Sequence, residues 1–237
     1  MTITCYWCGA PKTSKEHVPP RCLFPKEKDA PQLGDQRKGL IKVPSCNIHN
    51  CEKSGDDEYL MCVLSVNILN NELAETHVKS KILRALKRSP GLMAACFGTF
   101  QDIAVSEDGG KTLQPTAAVK IDDDRLEKCL EHMARALFFY KYGSRHEGNV
   151  RCTPEFVVAI TGPDAIERNA QYEEFRRTCD QAFEDQPKEG ENPGVFFYQF
   201  HPDPPDQMAA LLRMTFYEGA KATAIFYAQQ NAQADAG

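Results

Sequence analysis

Four residues near the N-terminus have the types and spacing of a metal site: Cys5-x-x-Cys8 and Cys46-x-x-His49. A two-residue gap places two ligand atoms on one tight turn, and Gly9, just behind Cys8, permits that turn. Two such knuckles complete a tetrahedron, and three thiolates with one imidazole suit structural Zn²⁺. By residue type Cys51 or Cys22 can replace His49, but His49 repeats the spacing of the first knuckle. Between the knuckles lies Lys15-Glu16-His17-Val18-Pro19-Pro20, and after the second come Asn50, Lys53 and the acidic run Asp56-Asp57-Glu58. A core histidine needs no such setting. A histidine held still and kept neutral as a general base does.

Elements must position these groups. The strand-like run "LIKVPS" (40–45) leads into the second knuckle. The stretch 58–96 reads as helical, being largely free of Gly and Pro until Pro90-Gly91. "TFQDIAVSEDGGKTLQPTAAVKI" reads as a hairpin about Asp108-Gly109-Gly110. "DDDRLEKCLEHMARALFFYKYG" reads as an amphipathic helix, opened by acids and closed by Gly143. Leu126, Leu130, Met133, Leu137 and Tyr140 recur on one stripe. "EFVVAIT" and "GVFFYQF" read as strands, and "AIERNAQYEEFRRTCDQAF" as a helix. "ALLRMTFYEG" and "KATAIFYAQ" read as a strand pair across Glu218-Gly219, while 184–194 reads as a loop.

The totals set bounds. The chain has 237 residues, enough for one large or two small domains. No apolar run approaches the ~20 residues of a membrane helix, and the N-terminus lacks the pattern of a signal peptide. The expectation is a cytoplasmic protein with no membrane partner. Half of the 10 cysteines fall within the first 51 residues, which suits metal ligation in a reducing compartment; the scattered ones suit core filling. Net charge is −5, yet Met1 to Lys53 carries nine Lys/Arg against five Asp/Glu, a local +4. A basic head on an acidic body can bind a polyanion locally. That head is poor in long apolar runs and needs a staple.

The order knuckle, acid-His, strand, knuckle, Asn, helix resembles the HNH endonucleases of the ββα-metal class, in particular the zinc-stapled bacterial members. "EHVPPRCLFP" and "VPSCNIHNCEKSGDDEYL" carry the resemblance, which covers residues 5–60, about a quarter of the chain. The resemblance implies a fold and a chemistry. The fold is α+β, with a zinc-bound ββα-metal head at 1–60 and a mixed helix/strand domain at 61–237 for targeting or oligomerisation. The chemistry is phosphodiester hydrolysis in DNA. His17 would be the general base, Glu16 and Asn50 would hold a catalytic Mg²⁺ or Mn²⁺, and Lys53 would face the phosphate. Double-stranded DNA, a second copy and a phage-defence partner are the partners it suggests. The chain departs from the family in having no asparagine between His17 and Cys46. Asp35, Gln36 or a main-chain carbonyl would then orient His17. The alternative is a noncatalytic zinc module that binds nucleic acid or protein.

Overall fold

The computed structural model describes residues 3–51, 54–88, 91, 96–105, 114–202 and 208–228. Helices and sheets are mixed along the chain, as the patterning leads one to expect. The first knuckle is closed by a bridge between Thr4 and Pro11, and Gly9 sits at a left-handed φ of 74°. Two short antiparallel strands follow, β1 (Ser14–Val18) and β2 (Ile41–Ser45), with Glu16 opposite Val43 and His17 opposite Lys42. Then come α1 (Asn47–Cys51) and α2 (Ser54–Ser65). The head therefore runs hairpin, then helix, and the boundary at residue 60 that the resemblance implies falls inside α2.

The helical stretch over 58–96 is in pieces. Asparagine side chains interrupt it by satisfying backbone groups that a helix would otherwise use. Asn70 donates to the Leu64 carbonyl at 2.7 Å, Asn67 accepts from the Leu69 amide, and Asn71 accepts from the Ala74 amide. Asn71 is thus the N-cap of α3 (Glu72–His77), which passes through a π turn (Val78–Ile82) into α4 (Leu83–Arg88).

The hairpin of β3 (Phe100–Val105) and β4 (Gln114–Val119) forms as read, and its Asp108-Gly109-Gly110 turn lies outside the described residues. Helix α5 (Asp123–Tyr142) is capped by Asp122 and ended by Gly143 in the left-handed region. Its stripe of Leu126, Leu130, Met133 and Leu137 is buried, but Tyr140 at its end is exposed. Strand β5 (Val150–Pro154) precedes the "EFVVAIT" segment expected to be a strand. That segment is a loop, because Glu155 turns inward to pair with Arg213 and the Ala159 backbone is held by the Asn169 side chain. Helix α6 (Ala165–Phe183) matches its reading. The stretch 184–194, read as a loop, contains the short edge strand β6 (Glu189–Asn192). With β7 (Phe196–Phe200), β8 (Met208–Phe216) and β9 (Ala220–Tyr227) it completes an antiparallel sheet in the order β5-β9-β8-β7-β6.

One face of that sheet, with Leu212, Met214, Ala222, Ala224 and Phe226, joins α5 in a buried cluster that continues into the head through Val43, Phe24, Leu23 and Tyr6. Polar groups tie the same seam. The Tyr217 hydroxyl donates to the Leu23 carbonyl at 2.6 Å, and the Tyr59 hydroxyl to that of Asp122 at 2.8 Å. On the opposite face Arg213, itself buried, pairs with Glu155 and Asp180.

His77 is fully buried in this seam. Its Nε2 donates to the Cys22 carbonyl at 3.1 Å, and its Nδ1 has no hydrogen-bond partner. Burial first, then the ammonium of Lys81, pushes its pKa down from 6.5 to about 4; Arg37 adds to the shift, while the Cys22 bond and Asp29 oppose it. The unfolded chain takes up this proton near pH 6.5, the folded chain only near 4. Stability is therefore intact above the window and falls as pH drops through it, by on the order of 3 kcal/mol in all. His77→Gln, which keeps a donor for Cys22, should remove this component. Urea unfolding at pH 4.5 and 7.0 checks it: the stability lost between the two pH values should be smaller in the variant.

Candidate metal centre and the hairpin it holds

Local hydrogen bonds shape the first knuckle. The Gly9 amide donates to the Cys5 carbonyl, the Cys5 amide to Ala10, and the Tyr6 amide to the Pro44 carbonyl of β2 at 2.9 Å. The last bond sets the turn against the second knuckle. Cys46 follows β2 directly, and the first turn of α1 brings His49 back over it. The ligand atoms of Cys5, Cys8, Cys46 and His49 all lie within 4.8 Å of one another. Cys8 Sγ stands 3.9 Å from Cys46 Sγ; Nδ1 of His49 stands 3.9 Å from Cys5 Sγ and 3.1 Å from Cys46 Sγ. Two thiolates bound tetrahedrally at ~2.3 Å from one zinc stand about 3.8 Å apart. The four donors fit that geometry, and they can hold a metal ion such as zinc. They are the only such group of Cys, His, Asp and Glu donors among the described residues.

Electrostatics agree. Burial raises the Cys5 thiol, but the amides of Cys8, Trp7 and Cys46 aimed at its sulfur outweigh burial and bring it below its ordinary value. The Ala10 amide lowers Cys8, but burial and the neighbouring sulfurs of Cys5 and Cys46 leave it raised. Crowded thiols resist shared ionisation until a cation joins them. Cys22 takes no part. Its thiol donates to the Asp57 carbonyl at 3.2 Å, and burial pushes it up to about 12. The side chain of Cys51 lies outside the described residues.

The alternation of β1 divides the Glu-His dipeptide. Glu16 is on the covered face, 5 % exposed; His17 is on the outer face, half-exposed. Lys15 and Lys42 share the outer face. Burial first, then the charges of Lys42 and Arg21, lowers the His17 pKa, so the ring is neutral at pH 7. Among the described residues no hydrogen bond fixes it. Asp35, expected as a possible orienter, accepts from the Arg37 amide instead, and Gln36 donates to the Leu33 carbonyl. Asn50 lies within α1, and its amide nitrogen donates to the Lys15 carbonyl at 3.4 Å, next to Glu16. Lys53 lies outside the described residues.

Sequence reasoning missed what covers Glu16. The Tyr6 hydroxyl lies near its carboxylate and stands 3.2 Å from Nδ1 of His132 on α5. The His132 ring stacks on Trp7 at 3.9 Å and 9°, Arg135 lies over Trp7, and Trp7 is 5.8 Å from His49. The signal was present in the unusual Tyr-Trp filling of the first knuckle and in a histidine beside the α5 stripe. No family model, curated protein or solved structure matches the chain.

Because Trp7 is the sole tryptophan, its emission reports on the knuckle. Metal analysis should find one zinc per chain. Stripping it with a strong chelator should red-shift Trp7 emission and lower the melting temperature, and Cys8→Ser should reduce the zinc content to well below one. Unchanged emission and melting after complete zinc removal would show that the cluster does not hold the head together.

Proposed function

We propose that the chain is a metal-dependent endonuclease of the HNH type that hydrolyses phosphodiester bonds in DNA, with structural zinc on Cys5, Cys8, Cys46 and His49. The observation that carries this reading is the placement of His17: a neutral imidazole on a cationic outer face, on the hairpin that the four-donor cluster locks to the helix bearing Asn50. Lys15 and Lys42 flank His17 and attract a phosphate. His17 accepts a proton from the attacking water. The Glu16 carboxylate and Asn50 amide oxygen are hard donors, suited to Mg²⁺ or Mn²⁺ rather than to a thiolate-loving metal. When bound there, such an ion supplies positive charge to the phosphate and the leaving oxygen.

One observation favours the second reading, a noncatalytic zinc module that binds nucleic acid or protein. Glu16 is buried, on the face of β1 opposite to His17. Incubation with supercoiled plasmid and Mg²⁺ or Mn²⁺ separates the two. The nuclease should nick it, and His17→Ala should slow nicking by about 10²–10⁴-fold. Equal nicking by both chains would assign the activity to a contaminant. No nicking, with DNA binding whose salt slope falls by about 1 in Lys42→Gln, would select the binding module.

A further inference from the structure

The four donors of the metal centre are not equally accessible. Cys5 is fully buried, Cys46 is 7 % exposed and His49 is half-buried, whereas Cys8 is exposed. It is the only exposed thiol among the described cysteines. Cys22 is half-buried and its thiol donates to the Asp57 carbonyl, while Cys62, Cys96, Cys129, Cys152 and Cys179 are buried. An oxidant arriving from solvent therefore meets Cys8 first. A second sulfur is at hand: Cys46 Sγ stands 3.9 Å from Cys8 Sγ, on the other knuckle, 38 residues along the chain. A bond between these two sulfurs would tie together the same two turns that the metal ties.

We propose that the Cys8–Cys46 pair is an oxidation site: hydrogen peroxide converts it to a disulfide that expels zinc and takes over as the clasp of the head. This rests on zinc occupying the four donors and is independent of whether the chain is a nuclease. The Cys8 thiolate attacks one peroxide oxygen as the O–O bond breaks, giving a sulfenic acid and hydroxide. The Cys46 thiolate then attacks the Cys8 sulfur; the S–S bond forms, the S–O bond breaks and hydroxide leaves. Each sulfur gives up one electron, the peroxide takes two, and solvent protons turn its two oxygens into water. Cys5 and His49 alone remain as donors, half of a tetrahedral set, so the centre no longer retains zinc. The hairpin is not thereby released. A link from Cys8 to Cys46 closes the loop that contains β1 and β2, and a closed loop limits the freedom of the unfolded chain. A bond inside the first knuckle, from Cys5 to Cys8, would expel zinc and leave the second knuckle untied.

The test uses the zinc-loaded full chain. Hydrogen peroxide is added, released zinc is read with a chromogenic chelator, and disulfides are located by peptide mass spectrometry without reduction. Melting temperatures are compared for three forms: zinc-loaded, chelator-stripped with its thiols reduced, and peroxide-oxidised. One zinc should leave for each Cys8–Cys46 disulfide formed, and dithiothreitol with added zinc should reverse both changes. The oxidised form, although free of metal, should melt above the stripped reduced form. Zinc retained through peroxide treatment overturns the proposal, as does zinc lost with the bond located at Cys5–Cys8 or at any other pair. An oxidised form that melts with the stripped one shows that the disulfide does not clasp the head, and overturns it too. A chain that takes up no zinc even when loaded shows that the four donors are not a zinc centre, and the inference falls with that reading.

Discussion

The geometry of the head depends on one convergence: three sulfurs and an imidazole nitrogen within 4.8 Å, contributed by turns 38 or more residues apart. A two-stranded hairpin of five-residue strands is marginal by itself. Here it lies between the knuckles, so closing the cluster closes the hairpin. The Tyr6 amide bond to Pro44 welds the turn to the strand that leads into the second knuckle. The two residues between Cys5 and Cys8 are aromatic, so a turn whose geometry is set by ligation also aims a phenol and an indole at α5. Metal chemistry and docking are therefore one constraint.

Strand alternation does the rest of the placing. Because successive side chains of β1 face opposite ways, an adjacent acid and histidine cannot share a surroundings. Glu16 inherits the covered face, with Tyr6 and, beyond it, His132. His17 inherits the outer face, with Lys42 across the ladder. The same two-residue period gives one group cover and the other access to a polyanion. Burial and cationic neighbours act in the same direction on His17, so no dedicated acceptor is required to keep the ring neutral. Orientation is a separate matter, and no residue at the expected positions supplies it.

How much of this was legible depends on how local the signal is. Both knuckles, the strand before Cys46, α5 with its Asp122 and Gly143 caps, α6, and the β8–β9 pair are written in spacings of a few residues, and they form where read. The asparagines at 67, 70 and 71 were legible in principle, since each offers the backbone a local partner, but the apolar content around them masked the break. "EFVVAIT" has strand-like composition and is a loop because Glu155 is drawn to Arg213, 58 residues away, which no window contains. Edge strand β6 is the converse: polar and glycine-bearing, it pairs only because β7 is there to be paired with. The Tyr6–His132 contact spans 126 residues and was beyond any local reading.

That distance also bears on how the chain divides. The resemblance suggests a cut at 60, but the physical connections across it are of the kind that are costly to break. The Tyr217 hydroxyl satisfies the buried end of the Arg21–Leu23 turn, while His77 and Lys81 both donate to the Cys22 carbonyl. Removing the later residues would leave those carbonyls without these donors and would strip the cover from Glu16 and Trp7, exposing apolar surface that the head has no means to rebury. A head excised at 60 would keep its four metal ligands and lose the surroundings of its acid. Ligation closes the loops, but the setting of the Glu-His pair is a property of the whole fold.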